Sequence, residues 1–135
     1  KSVVMSGCYI VDHDFVLVTR WLLDDVPADA NPLEELSKAF LHRSATTAAK
    51  YENTREEKGM FLLKQFKSGG AEGVIFAAPS FCDPALLERP MLQDVLKKHG
   101  VPYTAFKYAE NTGQMAPIGE QSGTFADSIK LWSAA

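Results

Sequence analysis

Gly73-Val74-Ile75-Phe76-Ala77-Ala78-Pro79-Ser80-Phe81-Cys82-Asp83-Pro84 is the segment from which the fold is read. Gly73 to Ala78 is a continuous apolar run of strand length, bounded by turn formers and without polar alternation. Such a run predicts a central parallel strand covered on both faces. Asp83-Pro84 then predicts a helix start, because Asp accepts from first-turn amides and Pro suits the first helical turn. A strand passing into a helix through a short turn is the opening of a β–α–β unit.

Downstream, Met91, Leu92, Val95 and Leu96 continue an inward stripe that Gly100 closes. Pro90 lacks an amide proton and is expected to break or restart that helix after Arg89. Val101 to Phe106 reads as the next strand, Glu110 to Gly119 as a polar loop, and Phe125, Ile129 and Trp132 as one face of a final helix. Upstream, Thr54-Arg55-Glu56-Glu57 is a capping box. It opens a helix whose Phe61, Leu62 and Phe66 face inward and which stops at Gly69-Gly70. Asn31-Pro32-Leu33-Glu34 opens an earlier helix with Leu33, Leu36, Phe40 and Leu41 at helical spacing to about His42. Asp24 to Asn31 reads as an acidic loop. Phe15 to Thr19, and Ser2 to Met5 before the Ser6-Gly7 turn, read as strands. Helix, glycine stop, strand occurs twice, so the expected fold is an open α/β sheet of about four parallel strands with flanking helices. No internal repeat or second domain interrupts residues 1–135, which read as a single α/β domain.

The chain has 135 residues, enough for one core, with 46% hydrophobic and 23% charged residues, as in ordinary globular domains. A net charge of −3 gives no electrostatic reason for a nucleic acid or anionic membrane partner. The apolar runs are too short to span a bilayer, and no signal peptide is visible. Because the first residue is Lys1, we expect part of a longer subunit, with an upstream half elsewhere. Two cysteines without CxxC spacing do not make a disulfide framework, so reduced thiols in the cytoplasm are expected.

In open parallel sheets, ligands bind beyond the carboxyl ends of the strands. Here those ends are Ser6-Gly7-Cys8, Arg20, Ser80-Phe81-Cys82-Asp83 and Glu110-Asn111-Thr112. Cys8 is first read as a small buried hydrophobe, the common fate of a free cysteine. Cys82 differs, because it lies between a buried strand and a helix start, where amide dipoles favour an anionic sulfur. Such a sulfur could act as a nucleophile or a metal ligand. The histidines give little support for the nucleophile: His42 and His99 fall on charged helix faces, and His13 has no signal beyond its place near the edge. Ligation of a 4Fe-4S cluster takes three or four thiolates, more than this chain can supply. A Walker A loop, GxGxxG, HExxH, paired-cysteine zinc spacing and a GxSxG elbow are all absent.

Three further segments carry a resemblance: Phe81-Cys82-Asp83-Pro84, Arg89-Pro90-Met91-Leu92, and Gly100 through Gln114 with its Glu110-Asn111-Thr112-Gly113-Gln114 end. Together they resemble the 2-hydroxyacyl-CoA dehydratase and benzoyl-CoA reductase superfamily. Glu120 to Trp132 is more similar to the reductase branch, and Met115 to Gly119 stands where dehydratase subunits tend to have an Arg-rich stretch. The resemblance is strongest over the last third of the chain. It is looser from Lys1 to Glu72, where Arg43 to Tyr51 is the most similar piece.

The resemblance implies a subunit of two flavodoxin-like halves holding a 4Fe-4S cluster through three cysteines, two of them in the first half. Carried over, Cys82 is the third ligand, while Cys8 matches no ligand position. Ser80, Glu110, Asn111 and Gln114 become candidates for second contacts to the cluster or for proton donation, against a plainer role in loop capping. The implied activity is an anaerobic, ATP-dependent, two-electron dearomatisation of benzoyl-CoA to a cyclic dienoyl-CoA. The implied partners are a homologous cluster-binding subunit and separate ATP-hydrolysing subunits fed by ferredoxin. Two alternatives stay open: a subunit of a 2-hydroxyacyl-CoA dehydratase, and a non-catalytic α/β interaction domain without a cluster.

Overall fold

The computed structural model describes residues 1–13, 25–28, 31–42, 55–109 and 115–133, with only the backbone at 42 and 55–58. Two compact units emerge, His13–Glu52 and the combination of Lys1–Asp12 with Asn53–Ala135. Among the described residues the larger unit contains α1 (Ser2–Met5), α3 (Arg55–Ser68), β1 (Val74–Pro79), α4 (Asp83–Lys98), β2 (Tyr103–Tyr108) and α5 (Met115–Ser133). The smaller unit contains α2 (Pro32–His42).

The β–α–β unit expected around Gly73 is present. β1 and β2 pair in parallel, from Val74 opposite Tyr103 to Pro79 opposite Tyr108, and α4 makes the crossover. Both helices that feed the strands end alike. After α3, Gly70 takes a positive φ of 61° and the Ala71 amide reaches back to the Phe66 carbonyl at 3.1 Å. After α4, Gly100 takes 67° and the Val101 amide reaches the Leu96 carbonyl at 2.9 Å. These closures satisfy last-turn carbonyls, and a side chain at either glycine would meet the left-handed backbone penalty.

Packing follows from the alternation of side chains along β1. Val74 and Phe76 join Tyr103, Leu62 and Phe66 around the buried Leu63, Leu96 and Val101, with Phe76 edge-on to Tyr103 at 6.1 Å. Gly73, next to Val74 and on the opposite side of the pleat, leaves room for α5. A Cβ there would lie 2.6 Å from Ile129 and 2.7 Å from Phe125. α3 and α4 thus cover the Val74 and Phe76 side, whereas on the other face α5 meets Gly73 and Ala77 stays exposed, so the coverage of both faces expected from the apolar run is only partial among the described residues. The fold class is α/β with a parallel sheet, of which two strands lie among the described residues. On β2, the Gln121 side-chain amide of α5 donates to the Ala105 carbonyl at 2.9 Å.

Several local expectations are corrected. Ser2–Met5 is a helical turn rather than a strand, because a run this short carries no period and its surroundings decide. Those surroundings are α5: Ser2 Oγ lies 3.0 Å from Met115 Sδ, and a Cβ on Gly119 would sit 3.4 Å from Ser6 Oγ. Small residues on α5 therefore admit α1 closely. Pro90 does not break α4, which runs unbroken from Asp83 to Lys98. One lost amide bond is outweighed by burial further along, at Val95 and Leu96. Met115–Gly119 is the first part of α5 rather than loop. Pro117 is tolerated there because first-turn amides have no intrahelical acceptor. Trp132 is 83% exposed and not part of the inward face. Ser122 and Ala126 are the buried positions of α5, with Phe125 and Ile129 half-buried.

The smaller unit is described mainly by α2. Asn31 Oδ1 accepts the Leu33 amide at 3.1 Å, as the cap reading requires. Glu34 pairs with Lys38 at 2.9 Å, one turn on. Its buried residues are Glu35 and Ala39, whereas Leu33, Leu36, Phe40 and Leu41 are exposed. Residues 25–28 hold neither helix nor strand, in keeping with the loop expected around them. The strand expected at Phe15–Thr19, the edge position Arg20, the segment Arg43 to Tyr51 and the Thr54 cap lie outside the described residues.

Candidate functional site

The carboxyl edge of β1 is built from three consecutive backbone constraints. The Ser80 amide donates to the Tyr108 carbonyl at 2.8 Å, extending the ladder one residue past the end of β1. The Cys82 amide then turns back to the Pro79 carbonyl at 3.1 Å. The Cys82 carbonyl receives the Leu86 amide at 3.0 Å, the first bond of α4. Cys82 is therefore the residue at which strand becomes helix. It is the cap itself, and Asp83 and Pro84 occupy the first turn rather than Asp83 being the cap. The cap makes no side-chain hydrogen bond, since a thiol is a weak acceptor and the geometry leaves the sulfur free of that task.

Cys82 is a free, half-buried thiol between Phe81, which is 95% exposed, and the first turn of α4. Ser80 sends its hydroxyl to the same Tyr108 carbonyl, at 3.0 Å, that already receives its amide. That acceptor is a backbone atom on the neighbouring strand, so no side-chain pattern announced it. Glu110, Asn111 and Gln114 lie outside the described residues. Of the candidate positions, Ser80 and Cys82 are thus brought together at one strand end.

Cys8 is elsewhere. With Ser2–Met5 helical, no strand delivers Cys8 to the carboxyl edge; its Sγ instead points to the Ser122 carbonyl of α5, at 3.7 Å. It is half-buried and free, between the fully buried state expected and an open thiol. His99 is exposed and its Nδ1 lies 2.9 Å from the Val95 carbonyl, while His13 is exposed and the His42 side chain lies outside the described residues.

Tested against a cluster, the donor set fits in one respect. Cys82 presents a sulfur uncommitted to the helix cap, at the carboxyl end of β1. Among the described residues no three His, Cys, Asp or Glu side chains gather to hold a metal ion. Among the described residues this edge offers one cysteine sulfur, and a 4Fe-4S cluster needs the remaining ligands from outside these residues. No helix among the described residues is long and apolar enough to cross a membrane.

The chain belongs to the 2-hydroxyglutaryl-CoA dehydratase, D-component, family, which matches residues 1–129. Among individual proteins, it is 62% identical over 133 residues to a benzoyl-CoA reductase subunit of Thauera aromatica, covering 98% of this chain and 34% of that one. It is 27% identical over 103 residues to the (R)-phenyllactyl-CoA dehydratase beta subunit of Clostridium sporogenes, covering 76% of this chain and 27% of that one. It is 29% identical over 126 residues to the beta subunit of the (R)-2-hydroxyglutaryl-CoA dehydratase of Acidaminococcus fermentans, covering 89% and 32%. The chain spans about a third of the length of the curated relatives it matches.

Proposed function

We propose that this chain is part of a cluster-holding subunit of a benzoyl-CoA reductase, an oxidoreductase that adds two electrons and two protons to the aromatic ring of benzoyl-CoA. The observation that carries this reading is the 62% identity to a benzoyl-CoA reductase subunit, against 27% and 29% to dehydratase subunits. Cys82 would hold a 4Fe-4S cluster as one of its thiolate ligands. When bound, the cluster supplies low-potential one-electron transfer. The protein's own part is positional: the end of β1 and the first turn of α4 fix the backbone on either side of the sulfur. Ser80, and with it Glu110, Asn111 and Gln114, are proposed to support the sulfur or the substrate from the same edge. The proposed setting is cytoplasmic and anaerobic, with a homologous cluster-binding subunit and ATP-hydrolysing subunits that take electrons from ferredoxin.

The test is an anaerobic assay of the complete subunit assembled with its partners. Ring reduction of benzoyl-CoA, dependent on ATP and a strong reductant, is the expected result. Loss of water from a 2-hydroxyacyl-CoA without net reduction would make the complex a dehydratase instead. An assembled complex without iron at this subunit would leave an interaction domain.

A further inference from the structure

We infer that Ser80 is a positioning residue for the Cys82 sulfur, acting through a two-pronged hydrogen bond to the Tyr108 carbonyl; the inference rests on Cys82 being a cluster ligand. β1 closes on Pro79, opposite Tyr108 in register. The β1 amides that face β2 belong to alternate residues, from Val74 on the Pro102 carbonyl to Ser80 on the Tyr108 carbonyl, so Ser80 makes the last bond of the ladder. Its amide and its hydroxyl both donate to the Tyr108 carbonyl, at 2.8 and 3.0 Å. A carbonyl oxygen has two lone pairs, so one acceptor can take both donors.

The consequence runs along two residues. From the clamped Ser80 the chain turns, through the Cys82 amide on the Pro79 carbonyl at 3.1 Å, directly into α4. The sulfur has no hydrogen bond to the cap to hold it. Its place is therefore set by the backbone, and the backbone is set by where the end of β1 is pinned to β2. Because its hydroxyl hydrogen is engaged by Tyr108, Ser80 influences the sulfur through the chain. Tyr108 is the last residue of β2, so the same bond ties the carboxyl end of β1 to that of β2.

The test uses the complete subunit in its anaerobic complex, with Ser80→Ala, Ser80→Thr, Ser80→Val and Cys82→Ala compared for iron content, the electron paramagnetic resonance spectrum of the reduced cluster, and the rate of iron release to a chelator. Ser80→Ala keeps the backbone bond and removes the hydroxyl. It is expected to retain iron as isolated, alter the spectrum, and release iron about fivefold faster, the effect of one neutral hydrogen bond. Ser80→Thr restores the hydroxyl and is expected to restore the spectrum, with a release rate within about twofold of the starting protein. If Ser80→Ala fails to assemble, the near-isosteric Thr and Val variants decide: the spectrum should be native for Thr and altered for Val. Identical behaviour of that pair, or an unchanged spectrum and release rate for Ser80→Ala, overturns the positioning role and leaves Cys82 as a ligand untouched. Full iron on Cys82→Ala overturns the ligand reading, and this inference with it.

Discussion

Gly59 of α3 lies directly against Val95 of α4, so close that a Cβ at position 59 would run into the Val95 side chain. This contact sets the distance between the two helices that cover one side of the sheet. Gly59→Ala is accordingly expected to cost about 1–3 kcal/mol through overpacking, even though Ala is the better helix former. Denaturant unfolding monitored by circular dichroism measures it, and an unchanged midpoint would mean the helices separate freely.

Leu96 has no exposed surface and sits with Leu63 and Val101 at the centre of the core. Leu96→Ala is expected to destabilise by about 2–5 kcal/mol, the range for a buried leucine. Trp132→Ala, by contrast, should change stability by less than about 0.5 kcal/mol, since that side chain is largely exposed. Thermal melts of the two variants side by side provide the comparison.

The two cysteines should part company on iron. In the complete subunit, Cys82→Ala is expected to lose most of the cluster's iron, whereas Cys8→Ala should keep it, because Cys8 faces the Ser122 carbonyl on α5. Iron and acid-labile sulfide analysis after anaerobic purification distinguishes them. Equal losses would place both sulfurs at the cluster.

Asn31 caps α2 through the Leu33 amide. Asn31→Ala should cost about 1 kcal/mol, and Asn31→Asp should be close to neutral. Unfolding of residues in α2 followed by hydrogen exchange is the suitable readout, because the effect belongs to the smaller unit.

Long runs with chemical punctuation were legible in the sequence, and short or context-dependent ones were not. The unbroken run at Gly73–Ala78, flanked by Gly70 and the Cys82-Asp83-Pro84 turn, specified a strand, a helix and their order, and the structure has them. Gly100 marked the second closure for the same reason. Ser2–Met5 was misread because four apolar residues fit either element, and the small-residue surface of α5 settled the matter. Pro90 was given the weight of its local preference, which the burial of Val95 and Leu96 overrode. At the candidate site, the strand-to-helix turn placed Cys82 on the edge from sequence alone. The clamp between Ser80 and Tyr108 could not be foreseen, because its acceptor is a main-chain oxygen brought near by the pairing of distant segments.

The carbonyls of Pro102, just before β2, and of Tyr108, at its end, point to β1. Strand alternation therefore turns the Ala105 carbonyl to the outer rim, where the Gln121 amide occupies it. Among the described residues no strand pairs with β2 on that rim, and a strand added there would have to displace the Gln121 side chain to reach the carbonyl.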